Sequence, residues 1–201
     1  MYCVYFLTGS RFAEVTKIRV RDYIRNRKPL AQLTIVAGKV GRSKGVRYRT
    51  PPVHPILGNW LDWWLAEGFE FTHLRAPQPG DPLFPTLSPR RQKRGEILCS
   101  HGEVYKRWAR HHLPACELRH RRLHDARMTL LSLVRSSAAA QDVARAITHT
   151  VIADKVLDAY TTFEWEALCK AVQAVDWKQP KPPSLNSESH PVIDLASRRG
   201  G

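Results

Sequence analysis

In the segment LHDARMT, Leu123 to Thr129, a histidine and an arginine stand three residues apart inside the most basic part of the chain. On a helix that spacing puts His124 and Arg127 on one side, so both can converge on a single group. A helix start adds free backbone amides and a positive dipole end, and all of these favour an anion such as phosphate. Asp125 offers a plainer alternative: it caps the helix and Arg127 points to solvent. Three other segments carry groups of related chemistry. TGSRFAE (Thr8 to Glu14) holds Arg11 and Glu14, KVGRSKG holds Lys39 and Lys44, and ITHT (Ile147 to Thr150) holds His149, with Tyr160 following in LDAYTTF. Taken singly, each has an ordinary reading. Tyr160 shares an apolar stripe with Val156 and Leu157, as a core aromatic does, and His149 sits where a helix-end histidine meets the dipole.

Taken in order, TG-x-R-x-x-E, a hairpin lysine, H-D-x-R, a histidine closing a short helix and then a tyrosine resemble the catalytic half of the tyrosine recombinases, the phage integrase family, from about Leu7 to Tyr160. That resemblance implies roles. Cutting DNA without a metal requires a nucleophile, cationic donors for the phosphoryl oxygens and an acid for the leaving oxygen. Arg11 and Arg127 then hold the non-bridging oxygens, because the planar guanidinium matches phosphate in a forked geometry. Tyr160 is the nucleophile, Lys39 the general acid with Lys44 as its competitor, and His124 a proton-transfer group. His149 hydrogen-bonds the phosphate and Glu14 orients Arg11. Neither a metal nor any other cofactor is called for. Met128 and Thr148 depart from the residues usual in the family, which has a histidine and a glycine there, but neither change removes a reacting group.

The elements that must position these residues make a mostly helical α+β domain. Ser10 offers a cap for a helix through RFAEVTKI, and QLTIVAG with GVRYRTPPV flank a hairpin turn. PILGNWLDWWLAEGF lines Ile56, Leu57, Trp60, Leu61, Trp64 and Leu65 along one stripe, which reads as core. A proline-rich connection over residues 76–95 is anchored by Leu83 and Phe84. Helices are expected at GEVYKRWARHH, DARMTLLSLV, AAQDVARAI, ADKVLDAY and FEWEALCKAVQAV. The domain is expected over residues 1–176, with a Pro/Ser-rich disordered tail over 177–201. Tyrosine recombinases usually carry a separate helical DNA-binding domain before this one. Nothing precedes Met1 here, so an N-terminally truncated catalytic domain is expected. His112, Cys116 and His120 have zinc-like spacing, but Pro114 is expected to break their helix.

Lys plus Arg number 32 against 18 acidic residues, a balance of +14 that favours polyanionic partners, with double-stranded DNA foremost. Cys3, Cys99, Cys116 and Cys169 are scattered and form no CxxC pair, as in a reducing cytoplasm. No run is long enough to span a membrane. The apolar face Trp165, Leu168, Cys169, Val172 and Val175 must be covered, either by a neighbouring copy on DNA or by the chain's own domain. The expectation is a site-specific recombinase or integrase acting through a 3′-phosphotyrosyl intermediate. Its alternatives are a catalytically weak DNA-binding or regulatory module of the same fold, a general basic nucleic-acid binder, and a relaxing activity of the type IB topoisomerase kind.

Overall fold

The computed structural model describes residues 1–36, 48–136, 147, 164–175 and 177. Helix α1 (Tyr2–Thr8) buries Val4, Tyr5 and Leu7. It ends where Gly9 turns left-handed at φ 60° and donates its N–H to the Tyr5 carbonyl at 3.0 Å, a conformation that suits a residue without Cβ. Helix α2 (Phe12–Val15) is a single turn. The expected helix through Ile18 stops short, because the Ile18 carbonyl is drawn into pairing with the Leu83 N–H at 2.7 Å. Nor is Ser10 the cap. Arg11 takes that position, its backbone N–H donating to Glu14 Oε2 at 2.9 Å.

Two small antiparallel sheets follow. A 3-10 turn (Val20–Asp22) leads into β1 (Tyr23–Ile24), which pairs with β2 (Gln32–Leu33), and β3 (Ile35–Val36) pairs with β4 (Tyr48–Arg49) in the register Ile35↔Arg49, Val36↔Tyr48. The expected hairpin is β3–β4. Its turn, with Lys39 and Lys44, lies outside the described residues. Strand β1 was hidden in IRVRDYIRNRK, where a strand this short leaves no alternating pattern, and its partner β2 takes the first two residues of QLTIVAG, expected to flank the hairpin turn.

His54 caps α3 (Pro55–Trp63), its Nδ1 accepting the Ile56 N–H at 3.2 Å. The helix runs on through a π turn (Trp64–Gly68) into α4 (Phe69–His73). Leu57, Leu61 and Phe69 are buried, while the tryptophans expected in the core sit half-buried at its edge. Trp64 Nε1 donates to the Leu83 carbonyl at 2.8 Å, fixing the proline-rich connection at its anchor. That connection also contains one helical turn, α5 (Pro89–Gln92).

Helix α6 (His101–Arg107), capped by Ser100, continues through a π turn (Trp108–His112) into α7 (Leu113–Ala115). Pro114 therefore does not break the helix mid-way. It follows the π turn at the very end of the helical run, and the chain leaves the helix at Cys116 and Glu117, the latter at φ 54°. His112 packs edge-on against Tyr2, and His120 bonds the Tyr105 hydroxyl. Among the described residues no three metal-ligating groups converge.

Helix α8 (Asp125–Ser136) turns Ala126, Arg127, Leu130, Leu131 and Val134 inward, a stripe at helical spacing that carries one arginine into the core. Ala126 joins the main cluster with Val4, Tyr5, Leu7, Val15, Leu33, Ile35, Leu57 and Leu61. Helix α9 (Trp165–Gln173) lays its apolar face on the chain's own domain. Cys169, Ala171 and Val172 pack with Leu30 and Ile147, and Val175 packs with Leu130 and Val134. Trp165 Nε1 donates to the Lys28 carbonyl at 3.0 Å while the Arg27 guanidinium lies 3.8 Å over its ring. Trp177 packs against both neighbouring clusters. The helices expected at AAQDVARAI, apart from Ile147, and at ADKVLDAY lie outside the described residues, as does the tail beyond Trp177. Among the described residues no helix is long and apolar enough to cross a membrane.

Candidate nucleic-acid interface

The turn between α1 and α2 is where distant segments meet. Arg127 reaches from the first turn of α8 and donates from Nη1 to the Gly9 carbonyl at 2.6 Å. Arg11, two residues beyond Gly9, holds Glu14 at 3.3 Å through Nη1 and leaves 42% of its side chain exposed. Glu14 is 1% exposed and accepts a second guanidinium, Arg49 Nη2, at 3.3 Å. Arg11, Glu14 and Arg127 are thus brought together, as Arg11 and Arg127 must be if they share one anion.

Asp125 answers both halves of the question its position raises. Its carboxylate accepts the Arg122 N–H at 3.1 Å and pairs with the Arg122 side chain at 3.5 Å, so it closes the helix start. Arg127 nevertheless turns inward and is 6% exposed. His124 is exposed, one residue before α8, and its carbonyl accepts the Arg127 N–H at 3.1 Å. Lys39, Lys44, His149 and Tyr160 lie outside the described residues. Ile147, two places before His149, is buried.

Arg49 is the functional candidate that reading the sequence missed. It stands on β4 beside Ile35, which is fully buried, and its own side chain is 4% exposed. Nη1 donates to the carbonyls of Thr8 at 3.2 Å and Ile147 at 2.8 Å, and Nη2 to Ser10 Oγ at 2.5 Å. A signal was present: in RYRTPPV a strand alternates its faces, so Arg49 lies inward between the exposed Tyr48 and Thr50, and an inward arginine needs partners.

Burial lowers the Arg49 guanidinium to about 10; Glu14 opposes the shift, and the positive charges of Arg127 and Arg11 add to it. Burial, followed by repulsion from Arg11, also holds Arg127 below the usual arginine range, with Glu14 opposing. At about 10 Arg49 stays charged at neutral pH. Among the described residues the cluster sets three guanidinium groups against one carboxylate, which favours an added anion. The apolar cavity of about 230 Å³ lined by Tyr2, Trp64, Phe84, Cys99 and Val104 shares no residue with it.

The overall fold is that of the tyrosine recombinase and integrase domains. A structure described as the XerH site-specific recombinase bound to its difH substrate, in a pre-cleavage complex, superposes with a TM-score of 0.54 at 12% identity, over 88% of this chain and 41% of that one. An integrase from mycobacterium phage Brujita superposes with a TM-score of 0.53 at 13% identity, over 90% of this chain and 52% of that one. The chain spans about half or less of the solved chains it matches. No family profile matches the sequence and no curated protein matches it.

Proposed function

We propose that this chain is a DNA strand-transferase that cuts and rejoins duplex DNA, serving site-specific recombination or integration. The observation that carries this reading is the convergence of Arg11 and Arg127 at the Gly9 turn, in a fold shared with recombinases. Two guanidinium groups hold the non-bridging oxygens of one phosphodiester and stabilise the charge that develops on them. Glu14 fixes the Arg11 turn through the backbone N–H and the side chain. Tyr160 attacks phosphorus, the bond to the 5′ oxygen breaks, and that oxygen takes a proton from Lys39, or from Lys44 if the longer reach to the turn tip decides. His124 moves the phenol proton and His149 donates to the phosphate. The 3′-phosphotyrosyl link keeps the bond energy, so a 5′ hydroxyl attacking it rejoins the strand without ATP.

Double-stranded DNA is the partner, held by the basic surface as well as by the site. Assembly of copies through α9 requires its face to trade its own Leu30 and Ile147 contacts for those of a neighbour, so deleting residues 163–201 abolishes assembly on DNA. The test of the function is a nicked duplex that loses its 5′ hydroxyl fragment after cleavage. Wild type accumulates a covalent protein–DNA adduct and Tyr160→Phe forms none. Absence of an adduct from wild type sinks the enzymatic reading and leaves a binding or regulatory module.

A further inference from the structure

Arg49 belongs to none of the reacting groups, yet it is as buried as Arg127, each 6% exposed. Its guanidinium touches the Thr8 carbonyl and Ser10 hydroxyl on one side, the Glu14 carboxylate beside them, and the Ile147 carbonyl across the cluster. The strand that carries it belongs to the hairpin whose turn holds Lys39 and Lys44. One side chain therefore ties together the segment bearing Arg11, the hairpin, and the residue two places before His149. Ser10 is tied in turn to Thr8, hydroxyl to hydroxyl at 2.5 Å, and Thr8 Oγ1 reaches the Val4 carbonyl at 2.6 Å. Between Thr8 and Ser10 lies Gly9, whose carbonyl receives Arg127.

We infer that Arg49 is a positioning residue of the phosphate site, acting through the Thr8–Glu14 turn to set where Arg11 and Arg127 point; the inference rests on the strand-transferase reading. Lysine cannot take this place. An ammonium has no planar fork, so it cannot meet two carbonyls, a hydroxyl and a carboxylate from two separate segments at once. The charge of Arg49 also has a part. It shares Glu14 with Arg11, and that sharing leaves Arg11 more free to engage an incoming anion than an exclusive carboxylate partner does.

The experiment compares wild type, Arg49→Lys and Ser10→Ala on a nicked duplex. It measures the single-turnover rate of adduct formation at saturating DNA, the DNA Kd, and the same rate on a duplex with a methylphosphonate at the scissile position. A misplaced phosphate clamp costs about 100-fold in rate, and that loss is expected of Arg49→Lys with a Kd within about threefold of wild type. Ser10→Ala, which removes one contact and keeps the charge, slows the reaction severalfold. Both defects shrink on the methylphosphonate, because a group with one fewer charged oxygen asks less of the paired arginines. Should Arg49→Lys fail to fold, Ser10→Ala carries the same expectation by itself. Equal slowing on both substrates, a rate that falls only in step with affinity, or an unchanged rate overturns the inference while wild-type adduct formation upholds the strand-transferase reading. A wild type that forms no adduct overturns both.

Discussion

Arg49 and Arg127 lie buried at the Gly9 turn, come from distant segments and spend their donors on carbonyls, a hydroxyl and a carboxylate. Arg90, Lys93 and Arg94 stand exposed on and just after α5, neighbours in sequence and in space. Both groups add to the same positive balance, but they differ in what folding has done to them. The surface set keeps its rotamer freedom and its water, so it attracts a polyanion from any direction. The buried set has already given up both, so it can present a charge at one place with little further ordering. Attraction and orientation are separate properties, and only the second depends on the fold.

The largest stability effect should come from the buried side of this comparison. Glu14→Ala leaves Arg49 enclosed without its carboxylate, and the loss is expected to reach ~3–5 kcal/mol in a urea melt; a change below about 1 kcal/mol means water or relaxation already screens the pair. Next comes the apolar cover of α9. Val172→Ala should cost ~2 kcal/mol if that face is held by Leu30 and Ile147 as described, and almost nothing if it stands free.

A smaller effect is expected from pH. Burial lowers the His54 pKa below its ordinary value of 6.5, with the Val175 backbone opposing. Because the folded-state value is the depressed one, the unfolded chain binds the proton more readily, and stability falls as pH drops through about 6.5. Protonation also removes the Nδ1 acceptor that caps α3, so His54→Asn should flatten this acid-side slope, and an unchanged slope points to other groups. The smallest change belongs to the surface set. Arg90→Ala should reduce the slope of log affinity against log salt by ~0.9, one phosphate's share, and leave the adduct rate at saturating DNA unchanged. A rate loss there erases the distinction between the two groups.

Much of this contrast was legible from residue order. Arg11, Glu14 and Arg127 stand in the order of a known constellation, and the structure brings those three together. The stripe Ala126, Leu130, Val134 marks the inward face of α8, and Arg127 beside Ala126 shares it. Arg49 was less legible, since strand alternation turns one residue in two inward, and only the burial of its partner Ile35 fixes which face of β4 that is. The α2 boundary was lost for a related reason: Ile18 has helical spacing to Val15, but a long-range pairing with Leu83 claims its carbonyl. Pro114 misled because its position in a helical turn, rather than its presence, decides its cost.

The central claim is that the arginines at the Gly9 turn orient a phosphate rather than merely attract DNA. It is tested most directly by measuring covalent adduct formation and DNA affinity side by side for Arg127→Ala and Arg90→Ala. The account predicts that Arg127→Ala slows adduct formation by ~10²–10³-fold at saturating DNA, as loss of one preorganised donor does, with affinity changed by less than about tenfold. If Arg127→Ala instead behaves as Arg90→Ala does, losing a little affinity and none of the rate, the arginine cluster is part of the basic surface and no more.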